Sequence, residues 1–161
     1  MLIMIRKLSF KDANAIWEII NKAAHAYKGV IPNDRYHEPY MPREELHREM
    51  RSITFFGWQE KGKLIGAMGF QPVGDVTLIR HAYVLPDYQR KGIGAKLLNH
   101  MKKLTKTKYL LVGTWADAGW AIKFYQQHGF KFMPKKDDLL HKYWHIPQRQ
   151  VETSVVLGIE V

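Results

Sequence analysis

A strand, a glycine-containing loop and a helix follow one another between residues 76 and 104, and this succession most limits the folds open to the chain. Val76 to Leu85 has the pattern of a strand that ends before Pro86. After Gly92 the apolar residues take helical spacing, with Ile93, Leu97, Leu98, Met101 and Leu104 on one face. Because such successions build α/β chains, we expect strands and helices to alternate around a sheet.

The segment Gln89-Arg90-Lys91-Gly92-Ile93-Gly94-Ala95 in this loop predicts an anion site. Backbone N–H groups at a helix start have no intrahelical acceptor, and the glycines at 92 and 94 allow a ligand to approach closely. Arg90 and Lys91 add two positive charges, so a phosphate or pyrophosphate is expected. A tight turn beside a solvated helix face is the alternative interpretation. Neither the dinucleotide fingerprint nor the Walker pattern is complete here.

The rest of the chain also alternates strand and helix signals. Leu2 to Leu8 predicts a first strand, and Ser9 followed by Asp12 predicts a capped helix. A hairpin is expected around Lys61-Gly62-Lys63. The remaining predicted elements are a helix at about 42–51, a buried strand at 109–114, a helix from about 118 that ends at Gly129, and closing strands at 130–133 and 139–146. Residues 147–161 are expected to form an extra strand or a dimerisation tail.

Composition limits the chemistry. At 161 residues the chain has the length of a single domain, 1–161, and with no cysteine it excludes disulfides, thiolate metal sites and a cysteine nucleophile. The eight histidines lack a paired metal-ligand spacing, so no metal is expected. No signal-like or membrane-spanning stretch is present in the sequence, which predicts a cytoplasmic protein without a membrane partner.

Two motifs resemble the GNAT superfamily of N-acetyltransferases. The pattern Gln89-x-x-Gly92-x-Gly94, preceded by Tyr83-Val84-Leu85-Pro86, resembles the acyl-CoA-binding motif of that family. Residues 121–130, AIKFYQQHGF, resemble its late helix, in which the tyrosine of an F-Y pair lies near the coenzyme sulfur. The resemblance implies an α/β (α+β) fold with a mixed, mostly antiparallel central sheet flanked by helices.

The resemblance also implies acetyl-CoA as co-substrate and the primary amine of a small molecule or peptide as acceptor, with direct attack in a ternary complex. Tyr125 would be the general acid toward the leaving thiolate; without the motif it would be interpreted as a core aromatic. The thioester carbonyl would meet backbone groups at 83–85. The implied coenzyme-binding residues are Tyr83, Val84, Leu85, Gln89, Arg90, Lys91, Gly92, Ile93, Gly94 and Ala95.

Two positions depart from the family pattern. Members often have glycine where Arg90 stands, and asparagine where Ala118 stands. The first departure restricts the loop or adds a phosphate contact. The second puts a side-chain contact from position 118 to the coenzyme in doubt.

His81 is the first candidate for a general base, because it shares a strand face with Tyr83 and an imidazole is suited to proton transfer at neutral pH. A packed histidine is an equally good interpretation. Glu38 is the second candidate, since its loop lies where the family builds an acceptor site, although a surface carboxylate needs no such role. The expected acceptor-binding residues are Tyr36, His37, Glu38 and Tyr40.

The net charge of +10 supports an alternative class, a non-catalytic module that senses acyl-CoA or binds nucleic acid. No recognised nucleic-acid motif accompanies the charge, and aromatic residues are not interleaved with the lysines at 96–108. The sequence therefore favours the enzyme over a nucleic-acid partner. The apolar tail and family habit together suggest a homodimer.

Overall fold

A computed structural model describes residues 3–161, in which a seven-stranded sheet is accompanied by six helices. Leu2, the predicted start of the first strand, lies outside the described residues. The strands are β1 (Ile3–Lys7), β2 (Thr54–Glu60), β3 (Lys63–Val73), β4 (Val76–Val84), β5 (Tyr109–Trp115), β6 (Lys131–Phe132) and β7 (Ser154–Glu160). The helices are α1 (Ala13–Ala24), α2 (Arg43–Glu49), α3 (Ile93–Leu104), α4 (Gly119–Gln127), α5 (Lys136–Tyr143) and α6 (Gln148–Glu152).

The central sheet is mixed and mostly antiparallel. Its strand order is β1-β2-β3-β4-β5-β7-β6. The pairs β1 with β2, β2 with β3, β5 with β7 and β6 with β7 are antiparallel. The predicted fold class, a mostly antiparallel sheet flanked by helices, is confirmed.

The described chain divides into two compact units. The first contains the described part of Met1–Ala26 together with His37–Gln71 and Ile79–Leu104. Its helix α1 follows a capping box, as the spacing of Ser9 and Asp12 predicts. The Ser9 hydroxyl accepts the backbone N–H of Lys11, and the Asp12 carboxylate accepts that of Ser9. The buried face of α1 packs into a core whose members include Ile16, Ile20, Leu46, Phe55 and Ala67.

The hairpin between β2 and β3 in this unit has the turn that its sequence predicts. Lys61 and Gly62 both have positive φ angles, 49° and 76°, as a two-residue type I′ turn requires. Glu60 consequently pairs with Lys63 at the end of the ladder.

The second unit contains Tyr27–Tyr36, Pro72–Leu78 and Thr105–Val161. In it β7 pairs with β5 from Tyr109 to Trp115 and also with β6, so the C-terminal tail is a strand of the sheet. Its core includes Leu111, Leu140, Trp144, Val151 and Val156. The apolar tail, which is the basis of the expected homodimer, therefore pairs with strands of its own unit.

The predicted closing strand at 139–146 is wrong, because Lys136–Tyr143 forms helix α5. Leu140, Tyr143 and Trp144 are buried at helical spacing, three and four residues apart, and Asp137 and Asp138 stand in the first turn, where the helix dipole favours acidic groups. The aromatic and β-branched residues at 143–146 favoured a strand in the sequence. Among the described helices, none combines the length and apolarity that a membrane span requires.

Candidate active site

The loop between β4 and α3 brings the predicted anion-binding residues to the start of a helix. Arg90 and Gly92 have left-handed backbones, with φ angles of +63° and +82°. The N–H of Lys96 donates to the carbonyl of Gly92 (3.1 Å), so the N–H groups of Ile93, Gly94 and Ala95 precede the first helical hydrogen bond. These donors and the positive end of the helix dipole favour a bound anion.

The same loop is held to the strands of the first unit by two hydrogen bonds. The Gln89 side-chain amide donates to the Val84 carbonyl (3.0 Å). The Leu85 N–H donates to the Ile65 carbonyl on β3 (2.9 Å). Gln89 therefore has a structural contact within the loop, and the Leu85 N–H is used inside the protein.

Positive side chains surround the loop. Arg90, Lys91 and Lys96 are exposed. The Nζ atom of Lys91 lies 5.3 Å from the centroid of the Tyr88 ring, and Nζ of Lys96 lies 5.1 Å from that of Trp58. The aromatic faces stabilise these cations beside the helix start while leaving the ammonium groups in solvent.

Helix α3 is placed over β3 by a close approach at Gly66. A Cβ at this position would lie 3.3 Å from side-chain atoms of Ile93, Leu97 and Val84. The missing side chain allows the first turn of α3 to pack directly on the sheet. The N–H groups of that turn are thereby fixed relative to the end of β4.

His81, the predicted base, is held in an ion-pair cluster within the first unit. Its Nε2 lies 3.1 Å from both carboxylate oxygens of Glu49, at the end of α2. Arg80 Nη2 donates to Oε1 of the same carboxylate (3.0 Å), and Arg80 Nη1 donates to Gln71 Oε1 (2.9 Å). His81 has a left-handed backbone, φ +53°, so the simple face alternation with Tyr83 assumed from sequence is interrupted here.

Glu49 is the carboxylate partner of His81, and the sequence does not reveal this contact. It stands 32 residues from His81 along the chain and is one of several acidic residues on an ordinary short helix. Burial opposes its ionisation, but the hydrogen bond from His81 and the positive charges of His81, Arg80 and Arg48 hold the Glu49 pKa below its usual range. The carboxylate is therefore ionised at neutral pH.

The expected acceptor loop is divided between the units. Tyr36 belongs to the second unit and is half-buried, whereas His37, Glu38 and Tyr40 belong to the first. The His37 ring stacks on Tyr40 with centroids 6.4 Å apart, and Glu38 is exposed before a cis peptide bond to Pro39. The carboxylate that contacts His81 is that of Glu49.

Tyr125 is buried on α4 within the second unit. Its ring lies 5.4 Å from that of Phe130 and 5.1 Å from that of Phe124, centroid to centroid. Burial, with a contribution from Tyr27, raises the pKa of Tyr125 far above its ordinary value. Within residues 3–161 the Tyr125 hydroxyl makes no hydrogen bond.

The tryptophans of the second unit have different environments. Trp115 and Trp144 are buried in the core, whereas Trp120 at the start of α4 is 49% exposed. The Trp120 ring stacks on that of Tyr27, with centroids 5.9 Å apart. In the part of the chain that the structure describes, no group of three or more histidine or acidic side chains could hold a metal ion.

A model of the GNAT acetyltransferase family matches residues 14–130, a segment that contains the loop, α3 and α4. The chain belongs to the GNAT acetyltransferase family. The predicted family is thus confirmed, and membership makes the chain an acyltransferase rather than the alternative non-catalytic module.

Individual GNAT proteins resemble this chain over most of its length. Spermidine N(1)-acetyltransferase of Thermoplasma acidophilum is 28% identical over 144 residues, covering 81% of this chain and 89% of the relative. The crystal structure of PaiA N-acetyltransferase from the same organism, in complex with coenzyme A, superposes with a TM-score of 0.75 at 21% identity and covers 100% of both chains. A GNAT-family acetyltransferase from Staphylococcus aureus also gives a TM-score of 0.75, at 16% identity, and covers 99% of each chain.

Proposed function

We propose that this chain transfers the acetyl group of acetyl-CoA to a primary amine of a small molecule or peptide, by direct attack in a ternary complex. The observation that carries the proposal is the loop from β4 to α3, with its left-handed backbone at Arg90 and Gly92 and its N–H groups ahead of the first helical bond. Such a loop suits the pyrophosphate of a coenzyme. The relatives include a spermidine acetyltransferase and a protein solved with coenzyme A.

The coenzyme would be anchored by the loop. Backbone N–H groups at 90–95 would bind the pyrophosphate, and the Arg90 and Lys91 side chains would face its negative charge. Backbone at Tyr83 and Val84 would meet the thioester carbonyl. The N–H of Leu85 is excluded from that role because it donates to Ile65.

Tyr125 would act as the general acid. When the amine nitrogen attacks the thioester carbon, a C–N bond forms and the C–S bond breaks, which leaves a thiolate. The Tyr125 hydroxyl would donate its proton to that sulfur. The attacking nitrogen loses one proton as the amide forms, and uptake of a proton from solvent would restore the Tyr125 phenol. The phenol is protonated throughout the neutral range, as a proton donor must be, since burial raises its pKa rather than lowering it.

A general base is needed if the acceptor is a lysine-like amine. At a free pKa of about 10.4, such an amine is neutral in roughly one molecule in 2,500 at pH 7, which costs about 4.6 kcal/mol. His81 is the proposed base, and Glu38 is the second candidate. An α-amino group, with a pKa of about 8, would need much less assistance.

A polyamine such as spermidine is the first acceptor to test. The spermidine N(1)-acetyltransferase relative supports this class, and an aromatic and acidic loop formed by Tyr36, His37, Glu38 and Tyr40 suits a cationic ligand. Peptide N-termini form the second class of acceptor.

The test is amine-dependent release of the coenzyme thiol from acetyl-CoA. Spermidine, other aliphatic diamines, amino acids and a peptide with a free N-terminus would each be offered to the purified protein. Release that saturates with one class of amine supports the proposal, and intersecting initial-velocity lines support a ternary complex. Thiol release that does not depend on any amine, with all of these classes tested, would contradict it.

A further inference from the structure

The side chain of His81 makes specific contacts beyond simple packing on the sheet. Glu49 contacts its Nε2 through both carboxylate oxygens, at 3.1 Å each. The imidazole lies nearly parallel to the buried ring of Phe55, with centroids 6.3 Å apart and planes at 14°. The backbone of His81 is left-handed. The residue is therefore held by its main-chain conformation, by Phe55 beside its ring and by Glu49 at Nε2.

The contact with Glu49 determines which ring nitrogen carries the proton of neutral His81. An ionised carboxylate has only acceptor oxygens, so Nε2 must carry the hydrogen in the short contact. The other nitrogen, Nδ1, then has a lone pair. Among the described residues Nδ1 has no hydrogen-bond partner, and the side chain is 17% exposed.

Arg80 holds the carboxylate in this position. Arg80 donates to Oε1 of Glu49 while its second nitrogen donates to Gln71 on β3, so the guanidinium is itself fixed from two sides. The exposed fractions of the Glu49 and Arg80 side chains are 20% and 19%. Partial burial strengthens the attraction of the Glu49 carboxylate for a positive charge that develops on the imidazole, and it also strengthens the smaller opposing effect of the Arg80 guanidinium.

We propose that Glu49 is a positioning residue which holds His81 with its proton on Nε2 and leaves Nδ1 to accept a proton from the acceptor ammonium. This inference rests on the proposed function. One proton moves from the ammonium nitrogen to Nδ1, so the amine becomes neutral and the imidazole becomes imidazolium. The positive charge then lies against the Glu49 carboxylate, which stabilises it, as in other histidine bases oriented by a carboxylate.

The isosteric substitution Glu49→Gln tests this arrangement because it should weaken the preference of neutral His81 for the Nε2–H tautomer. Arg80 donates at the Oε1 position, so the glutamine oxygen will occupy that place. The glutamine NH₂ then occupies the Oε2 position, 3.1 Å from Nε2 in the unchanged protein. Nε2 then faces one acceptor, the amide oxygen at the Oε1 position 3.1 Å away, and one donor, so the preference for Nε2–H is weakened. Part of neutral His81 then carries its proton on Nδ1, where it blocks proton uptake.

The experiment combines ring ¹⁵N spectra of His81 with steady-state kinetics on the full chain. The variants are Glu49→Gln, Glu49→Asp, His81→Gln and, as a matched control, Glu44→Gln, which removes an exposed carboxylate from the same helix. We expect Nε2–H in the unchanged protein and in Glu44→Gln, and a smaller Nε2–H fraction, with Nδ1–H populated beside it, in Glu49→Gln. Glu49→Gln should lower kcat by about 10²-fold, the lower range for a general base, with little change in KM for acetyl-CoA, and Glu49→Asp should recover part of the loss.

The spectra and the kinetics separate the possible failures. An Nδ1–H tautomer in the unchanged protein, or an Nε2–H fraction in Glu49→Gln equal to that of the unchanged protein, would overturn the positioning role. Full turnover in both Glu49→Gln and His81→Gln would overturn His81 as the base while acetyl transfer itself stands. Absence of transfer by the unchanged protein to every amine would overturn the proposed function and this role together, whatever tautomer the spectra show.

Discussion

The ring of Tyr125 is packed among aromatic residues, and its hydroxyl is the proposed general acid. We expect Tyr125→Phe to lower kcat by about 10²-fold or more and to leave the dissociation constant of acetyl-CoA within about twofold, because a general acid acts in the transition state. Steady-state kinetics and calorimetry measure the two effects. Tyr109→Phe, which removes a hydroxyl at the start of β5, is the control; an unchanged kcat in Tyr125→Phe would refute the acid assignment.

Arg90 combines a positive charge with a backbone that glycine adopts more readily, φ +63°. The left-handed region costs an L-residue about 1–2 kcal/mol, and glycine loses about 0.5–1 kcal/mol in chain entropy. We therefore expect Arg90→Gly to raise the free energy of unfolding slightly and Arg90→Ala to leave it unchanged. Both variants should bind acetyl-CoA several-fold more weakly, because both lose the cation. Calorimetric affinities equal to that of the unchanged protein would remove Arg90 from the coenzyme site.

Glu49 should make stability depend on pH in the acid range. Burial opposes its ionisation, yet His81, Arg80 and Arg48 hold its pKa below the unfolded value of about 4.3. A lowered folded pKa adds stability above the unfolded value, and this stability is lost as pH falls through the folded pKa. Urea unfolding between about pH 3 and 7 should therefore show a shallower acid loss in Glu49→Gln than in Glu44→Gln. Parallel curves for the two variants would contradict the assigned pKa direction.

Residues that interact locally were predictable, whereas the partner of His81 was not. Ser9 and Asp12 form the expected capping box because three residues separate a cap from its reciprocal acceptor. Glu49 and His81 meet only after α2 and β4 have packed in the same unit. No spacing rule applies to such a pair, so sequence reasoning could propose His81 without its carboxylate.

At the scale of elements, the glycines of β3 fix how closely its neighbours approach. A Cβ at Gly69 would lie 2.5 Å from the backbone oxygen of Arg80, beside the left-handed His81. At Gly66 the nearest atoms are side-chain methyl groups at 3.3 Å, which can yield. We expect Gly69→Ala to reduce the free energy of unfolding by about 1–3 kcal/mol and to perturb the His81 ring spectrum, and Gly66→Ala to cost less. Equal costs in urea unfolding would argue against a backbone clash at Gly69.

The boundaries of the elements show which sequence signals are sufficient to predict a turn, a helix or a strand. The hairpin at Lys61 and Gly62 and the C-terminal turn at Gly129, φ +92°, follow from backbone conformations that few residues adopt. Helix α5 replaces the predicted strand, and its buried residues, Leu140 and Tyr143, have bulky side chains common in both structures. Packing in the second unit, rather than propensity, decides their conformation.

At the scale of the whole molecule, a net charge of +10 attracts many phosphate-bearing ligands, so selectivity is the meaningful test of the coenzyme site. Acetyl-CoA at about 100 times its dissociation constant should stabilise the fold by about 2.7 kcal/mol, a rise in Tm of roughly 5–10 °C. NADH and ATP are the controls for simple charge attraction. Equal shifts with all three ligands would indicate a merely basic surface.

The most direct test of the proposed reaction is to follow the acetyl group itself. Purified protein would be incubated with acetyl-CoA carrying a ¹³C-labelled acetyl group and with spermidine, and both the amine and the intact protein would be analysed by mass spectrometry. Direct attack of the amine on acetyl-CoA predicts labelled N-acetyl amine in proportion to the thiol released, with no label on the protein. Label retained by the protein would contradict direct attack, and no labelled amine above the protein-free control, with spermidine or any amine of the panel, would contradict the proposed acetyl transfer.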